Sequence, residues 1–108
     1  MTTTTSAATV RFSRAAGRYT FPVYPLGADF EKLPAVYVIT RRDLQGNHKV
    51  LYVGQTENLH DRFADHHKWW CMSQNGASHV CATVVTDEAQ RLAMENDLTT
   101  AYRPPCNG

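Results

Sequence analysis

The stretch VLYVGQTENLHDRFADHH, residues 50–67, combines two periodic patterns. Its first part is rich in β-branched and aromatic residues and ends at Gly54, which is typical of a strand. In its second part apolar residues recur every four positions, as on one face of a helix. Arg62 and His66 share that spacing and are predicted to lie one turn apart on the same helix face. The pair would suit a shared anionic partner, but the spacing alone favours a solvated helix face.

The composition is that of a small globular protein. A chain of 108 residues with 43% hydrophobic and 19% charged residues has room for one domain. No apolar run approaches the ~20 residues of a membrane helix, and the N-terminus lacks a secretory signal, so we expect a cytoplasmic protein without membrane contacts. Three cysteines without a C-x-x-C pair argue against a disulfide framework. The net charge is only +1, but residues 1–56 are basic and residues 57–108 acidic, a weak indication of a phosphate-binding N-terminal half.

The segments around the opening stretch predict a small α/β (α+β) domain. AVYVITRR (35–42) and KVLYVG (49–54) are expected to form an antiparallel hairpin across the turn-forming pair Gly46 and Asn47. The later elements, in chain order, are a helix over residues 58–70, a strand over 78–86, and a helix that begins at Asp87 and stops at Pro104.

The N-terminal third differs in composition from this domain, which is predicted to cover residues 35–108. Residues 1–9 are rich in threonine, serine and alanine and are expected to be disordered. Residues 10–34 contain aromatic residues but also three prolines, so we expect an irregular extension with at most a short edge strand. Its aromatic side chains are expected to pack on the core of the domain.

Glu95 stands out on the last predicted helix, because it lies at the edge of an apolar stripe formed by Met94, Leu98 and Ala101. A carboxylate in that position is unfavourable unless it is paired or binds a cation. One carboxylate is enough to hold Mg²⁺ when waters and a substrate phosphate complete the shell. The alternative is a salt bridge to Arg91, four residues earlier on the same helix.

Tyr37 and Tyr52 lie on the two strands of the predicted hairpin. Strand tyrosines are most often packing residues with a hydroxyl at the rim. A tyrosine that acts as a base needs its pKa lowered by cationic groups or metal-ordered water, since it ionises near pH ~10 in water. Arg62 and His66 could supply such a field.

In their order and spacing these residues resemble the GIY-YIG nuclease superfamily. The likeness covers residues 35–107, and three departures from the family pattern accompany it: Ala35 replaces a signature glycine, fourteen residues separate the two tripeptides, and Gln55 stands where some relatives place lysine. The matching segments are AVY (35–37), YVG (52–54), NLHDRFADHH (58–67), MEND (94–97) and RPPCN (103–107).

The resemblance implies a three-stranded antiparallel sheet flanked by helices, and metal-dependent hydrolysis of DNA phosphodiester bonds. Glu95 would hold one Mg²⁺ or Mn²⁺ ion. Tyr37 would be the general base, with Tyr52 orienting the attacking water or sharing the role. Arg62 would hold the scissile phosphate. His66 would assist Tyr37 by accepting its proton or by fixing its hydroxyl.

The same resemblance implies four supporting residues. Gly54 would let the backbone turn tightly near the phosphate, and Asn107 would support the site by hydrogen bonding. Arg41 and Lys68 complete the predicted set of substrate-binding residues. DNA is the expected partner, with selectivity supplied by residues 1–34, the hairpin loop, a homodimer or a protein partner.

Three other interpretations stay open at this point. One is a nucleic-acid-binding or adaptor module that keeps the fold without turnover, which the near-neutral net charge and Gln55 favour. Another is an interaction protein with no nucleic-acid role. A structural zinc site in the cluster of histidines and cysteines from His66 to Cys81 is disfavoured by its spacing.

Overall fold

The computed structural model describes residues 8–14, 17–64 and 66–107. The described chain is an α+β domain in which one five-stranded antiparallel sheet has the strand order β1-β2-β5-β3-β4. The strands are β1 (Ala8–Arg14), β2 (Gly17–Pro25), β3 (Ala35–Arg42), β4 (His48–Thr56) and β5 (His79–Val84). The helices are α1 (Leu59–Ala64), α2 (Trp69–Gln74) and α3 (Glu88–Tyr102). The α+β class is confirmed, but the sheet has five strands where three were predicted.

The predicted hairpin is confirmed as β3 and β4. The side chain of Asp43 organises its turn, since Oδ1 accepts hydrogen bonds of 2.9 Å from the backbone N–H groups of both Gln45 and Asn47. Gly46 adopts φ +86, a conformation that glycine tolerates without strain. The hairpin register places Tyr37 directly opposite Gly54, so the two signature segments lie side by side.

The prediction that residues 10–34 are mostly irregular is wrong. They contribute β1 and β2, and β2 joins the sheet by pairing Val23 with Cys81 of β5. Phe21 and Val23 are buried while Thr20 is exposed, so the alternation typical of a strand outweighs the prolines. Of the segment predicted to be disordered, residues 1–7 lie outside the described residues, and its last two begin β1.

The single helix predicted over residues 58–70 is also wrong, because the chain forms two short helices there. Asn58 caps α1 as expected, with its Oδ1 accepting from the backbone N–H of Asp61 at 3.1 Å. His66 lies between the helices, where its Nδ1 accepts a 3.1 Å hydrogen bond from the backbone N–H of Lys68. This local bond competes with helix continuation. Arg62 and His66 therefore do not share one continuous helix.

The sheet is covered on both faces, which follows from the alternation of buried side chains along β3. Val36 and Val38 pack in one apolar cluster with Leu98 of α3. Tyr37 belongs to the other cluster, with Leu59 of α1 and Met72 of α2. The last helix agrees with the prediction. Its first residues are capped by Asp87, which accepts from Gln90 at 3.0 Å, and it ends at Arg103 with φ +44.

The cysteines contradict the expectation drawn from their number. Cys71 of α2 and Cys106 near the C-terminus form a disulfide, while Cys81 is a buried free thiol. The bond joins α2 to the segment that follows α3 and closes a loop of 35 residues. Within the described residues, no helix is long and apolar enough to cross a membrane.

Candidate active site

Tyr37 lies at the centre of the cluster of predicted site residues. Its side chain is fully buried against three aromatic neighbours, with ring-centroid distances of 6.0 Å to Tyr52, 5.1 Å to Phe63 and 5.7 Å to His66. A buried hydroxyl needs a hydrogen-bond partner. The Oη of Tyr37 lies 2.7 Å from Nε2 of His66, and the Tyr52 hydroxyl is close enough to raise the pKa of Tyr37. The ring is therefore fixed from three sides.

Gly54 is required by the Tyr37 ring rather than by a turn. It lies inside β4 without a positive φ, so the expected tight turn at this residue is wrong. A Cβ atom there would lie 2.5 Å from both Cζ and Oη of Tyr37, far inside ordinary contact. The glycine of the second signature segment thus makes room for the tyrosine of the first.

The hydrogen bonds of His66 define its tautomer. Its Nδ1 accepts from the backbone N–H of Lys68 and so carries no proton. In the neutral ring the proton then resides on Nε2, which donates to the Tyr37 hydroxyl oxygen. Burial, followed by the nearby His67 and Arg62, lowers the pKa of His66 to about 4. The imidazole is therefore neutral at pH 7, and its Nε2–H donates to the Tyr37 hydroxyl oxygen.

Burial raises the pKa of both site tyrosines. For Tyr37 the neighbouring Tyr52 adds to this effect, whereas the positive charge of Arg62 opposes it. For Tyr52 the hydrogen bond from Tyr37 and the charge of Arg62 oppose the effect of burial, and Glu95 reinforces it. Ionisation of either phenol thus depends on positive charge placed close to the pair.

Glu95 projects from α3 toward this cluster and is partly buried. Burial raises the pKa of its carboxyl, while a hydrogen bond from the backbone N–H of Gln55 and the charge of Arg62 oppose that shift. The alternative salt bridge from Glu95 to Arg91 is not formed, and no ion pair joins Glu95 to a cationic side chain among the residues described. A partly buried carboxylate without an ion-pair partner among the described residues retains free lone pairs, so it fits a single divalent cation.

Arg62 is the cationic group that these side chains share. It lies on α1, close enough for its charge to act on Tyr37, Tyr52, His66 and Glu95. Arg62 also lines an open groove of about 550 Å³ that runs past Gln55. The same groove carries carboxylates of its own, from Glu57, Asp61 and Glu88.

Asn107 supports the site through the backbone of β4. Its amide accepts from the N–H of Val53 and donates to the carbonyl of the same residue, both at 2.8 Å. The backbone N–H of Cys106 adds a 3.0 Å bond to the carbonyl of Leu51. These bonds cover the edge strand that carries Tyr52, and the disulfide holds the covering segment in place.

The structure places the two remaining predicted residues differently. Arg41 lies near the other end of β3, opposite Lys49, with its side-chain methylenes beside Gly76. At ~3.3 Å per strand residue it stands about 13 Å along the strand from Tyr37. Lys68 reaches the cluster through its backbone bond to His66.

Two residues near the site are not among the predicted site residues. Phe63 of α1 stacks on His66 with the ring centroids 6.0 Å apart. In the sequence, only the helical spacing of Phe63 indicates that it faces the core. Arg91 is 3% exposed and donates to the side-chain oxygen of Gln55 at 3.0 Å. Nothing in the sequence around Arg91 distinguishes a buried arginine from an exposed one.

The zinc interpretation finds no support in the geometry. Cys71 is engaged in the disulfide, and His79 bonds to Ser78 at 2.8 Å. Over the ranges 8–14, 17–64 and 66–107, no group of three or more His, Cys, Asp or Glu residues could hold a metal ion. A metal at Glu95 would thus take its other ligands from water and substrate.

Comparison with known proteins identifies the fold. No family model matches the chain, and no curated protein matches it. Two crystal structures do, both of the GIY-YIG N-terminal endonuclease domain of UvrC from Thermotoga maritima, in tyrosine-to-phenylalanine variants bound to the catalytic divalent cation. They are 20% and 22% identical to this chain, each with a TM-score of 0.58 over 72% of this chain and 86% of that chain. The chain has the GIY-YIG domain fold, as the signature segments predicted.

Proposed function

We propose that the protein is an endonuclease that hydrolyses DNA phosphodiester bonds with the help of one divalent metal ion. The observation that carries this proposal is the convergence of Tyr37, Tyr52, Arg62, His66 and Glu95, which come from four separate parts of the chain. Two tyrosines, a neutral histidine, an arginine and a carboxylate supply a base, a phosphate clamp and a metal ligand. The divalent cation in the UvrC domains of the same fold supports the assignment.

Glu95 is the residue that would hold the ion, with Mg²⁺ or Mn²⁺ as the fitting metals because both prefer oxygen ligands. Its partial burial raises the pKa of the carboxyl, so the carboxylate benefits from a cation. When bound, the ion supplies charge neutralisation at the phosphate and at the leaving oxygen.

Tyr37 is the residue best placed to act as the base. Once deprotonated, its oxygen would accept a hydrogen bond from Nε2–H of His66. That donor and the charge of Arg62 stabilise a phenolate, and they oppose burial and the neighbouring Tyr52, which raise the pKa of Tyr37. Tyr37 would then take a proton from the attacking water as the new phosphorus–oxygen bond forms and the bond from phosphorus to the leaving oxygen breaks.

Arg62 would bind the scissile phosphate. Its charge already acts on the tyrosines and on Glu95, so a phosphate beside it would lie between base and metal ligand. A guanidinium offers two parallel N–H donors to phosphate oxygens, and these bonds strengthen as negative charge develops in the transition state.

A second candidate is a DNA-binding module of the same fold without turnover. The raised pKa of both Tyr37 and Tyr52 favours it, since an un-ionised phenol is no base. The carboxylates in the groove beside Arg62 also weaken phosphate binding relative to a purely basic site. This candidate predicts salt-sensitive DNA binding without cleavage.

Nicking of supercoiled, linear and branched DNA in the presence of Mg²⁺ or Mn²⁺ tests the proposal. We expect metal-dependent nicking that falls by about 100-fold or more in Glu95→Gln and in Arg62→Ala. Asp97→Asn is the matched control, because it removes a carboxylate from the same helix whose partner is Tyr19, outside the cluster. Binding without nicking by the wild-type protein would favour the second candidate, and equal nicking by Glu95→Gln would refute the proposed role of the metal.

A further inference from the structure

A cavity of about 560 Å³ beside α1 has no role in the proposed mechanism. His60 and Phe63 of α1 line it, whereas Asp61 and Arg62 of the same helix line the groove beside Gln55. The cavity and the groove therefore lie on different faces of one helix. The rest of the cavity wall consists mainly of residues 26–30, which connect β2 to β3, and of the first residue of α2.

The wall of this cavity is aromatic and continues into the candidate active site. The ring centroids of Phe30 and Phe63 are 5.4 Å apart, and Phe63 stacks on His66. All three of these residues line the cavity. Phe63 also lies 5.1 Å from the Tyr37 ring, and Nε2 of His66 lies 2.7 Å from the Tyr37 hydroxyl. One wall of the cavity is therefore in direct contact with the residue proposed as the base.

Trp69 completes the aromatic lining at the N-terminus of α2, where it remains 45% exposed. Its neighbour Trp70 is 75% exposed and does not line the cavity. A large aromatic ring left in water forgoes the free energy of burial. An exposed tryptophan at the rim of a cavity therefore indicates a binding surface.

The chemistry of the lining selects a flat, uncharged ligand. Among the described residues, no lysine or arginine lines the cavity, and Asp29 contributes a carboxylate, so the cavity disfavours phosphate. Aromatic side chains instead stack on nucleobases, because every base has a π-face. The volume lies within the range of about 300–1,000 Å³ that is usual for small-molecule sites. It admits a single nucleoside, and a duplex does not fit into it.

We propose that this cavity binds an unpaired nucleobase of the DNA strand whose phosphate lies at Arg62. The substrate class is then single-stranded or branched DNA rather than continuous duplex. This inference rests on the proposed function, because it names the substrate of the same site. α1 separates the cavity from Arg62, and a helix with its side chains is about 10–12 Å across. The base therefore belongs to a nucleotide a short way along the strand from the scissile phosphate.

Titration of oligonucleotides that contain 2-aminopurine tests the cavity, because stacking on an aromatic ring quenches the fluorescence of this base analogue. The probes are a single strand, a duplex with one unpaired 2-aminopurine and a fully paired duplex, all without divalent metal so that no strand is cut. We expect quenching with the first two probes, and at least about tenfold weaker binding of the paired duplex. Trp69→Ala should weaken binding of the single strand by about tenfold, since it removes one stacking partner. Trp70→Ala is the matched control and should stay within about twofold of the wild type, because it removes a tryptophan of the same helix from outside the cavity.

Gly27→Leu provides an independent variant that keeps every aromatic ring. Gly27 lines the cavity, and a Cβ atom there meets nothing within 4 Å, so the added side chain has open space to occupy. It should weaken binding of the single strand by about tenfold and abolish the quenching. Circular dichroism of each variant verifies that it is folded.

The outcomes separate this inference from the proposed function. Metal-dependent nicking by a wild-type protein that does not quench 2-aminopurine would overturn the base site and leave the nuclease standing. Equal losses in Trp69→Ala and Trp70→Ala, or wild-type affinity in Gly27→Leu, would also overturn the base site. Quenching that Trp69→Ala weakens, without nicking under any condition, would support the base site and refute the nuclease. A protein that binds none of the three probes would overturn both.

Discussion

The Gly54→Ala variant should be clearly less stable than the wild type, because Gly54 faces the Tyr37 ring across the β3–β4 hairpin. The added Cβ would lie 2.5 Å from Cζ and Oη of Tyr37, where ordinary contact begins at 3.4 Å, so the ring would have to retreat by about 1 Å. The ring has no room to do so, since Tyr52, Phe63 and His66 surround it. Overpacking of this kind typically destabilises a core by about 1–3 kcal/mol.

Urea denaturation followed by circular dichroism measures this loss. Gly27→Ala is the matched control, since a Cβ at Gly27 meets nothing within 4 Å. Alanine there should be neutral or stabilise by up to ~1 kcal/mol through the unfolded chain. Tyr37→Leu removes the atoms that clash, so Gly54→Ala should be tolerated in that background, with a coupling of about 1 kcal/mol or more. The reasoning fails if Gly54→Ala is as stable as Gly27→Ala, or loses as much stability in the Tyr37→Leu background.

Three further predictions concern stability around the site. Asn107→Ala should lower the free energy of unfolding by about 1–3 kcal/mol, because both backbone groups of the buried Val53 lose their amide partner. Asn107→Asp keeps the acceptor and should lower it by less in the same denaturation assay. In the folded protein the pKa of His66 is lowered from 6.5 to about 4. The neutral ring therefore contributes stability that is fully present above pH 6.5 and is lost as the pH falls to 4. Compared with His66→Gln, the wild type should lose up to about 3 kcal/mol of its free energy of unfolding over that range. Reduction of the Cys71–Cys106 disulfide, which closes 35 residues, should lower the free energy of unfolding by about 4 kcal/mol, and a double serine variant should not respond to reductant.

The hairpin and the last helix could be predicted from the sequence because their signals are local. The strand patterns on either side of Gly46 and the cap at Asp87 act within a few residues. The signature segments also predicted which side chains would meet, since Tyr37 and His66 are in contact in the structure. That contact is long-range, and only the resemblance to a known family indicated it.

The errors share a physical cause, which is tertiary structure overriding a local rule. The prolines between residues 10 and 34 argued against strands, yet pairing of β2 with β5 and burial of Phe21 prevail. The helix over 58–70 ends early because the His66 ring takes up a backbone N–H. The odd number of cysteines argued against disulfides, yet one forms, because the number of cysteines does not determine which two the fold brings together.

Asn107 and Arg91 illustrate two limits of sequence reasoning at the site. The resemblance implies that Asn107 supports the site but indicates no partner, and the partner is the backbone of Val53 on the edge strand. Arg91 was considered only as a salt-bridge partner on its own helix, whereas its partners lie on β4 and before α3. Helical spacing shows which residues share a face, but not which neighbour across the fold they contact.

An anomalous-scattering map from a crystal soaked with Mn²⁺ tests the metal site most directly. We predict one peak bonded to a carboxylate oxygen of Glu95 at about 2.0–2.2 Å, on the side that faces Tyr37 and Arg62. The peak should be absent from Glu95→Gln crystals soaked in the same way. A peak elsewhere in the domain, or no peak in the wild-type protein, would contradict a metal-dependent nuclease centred on Glu95.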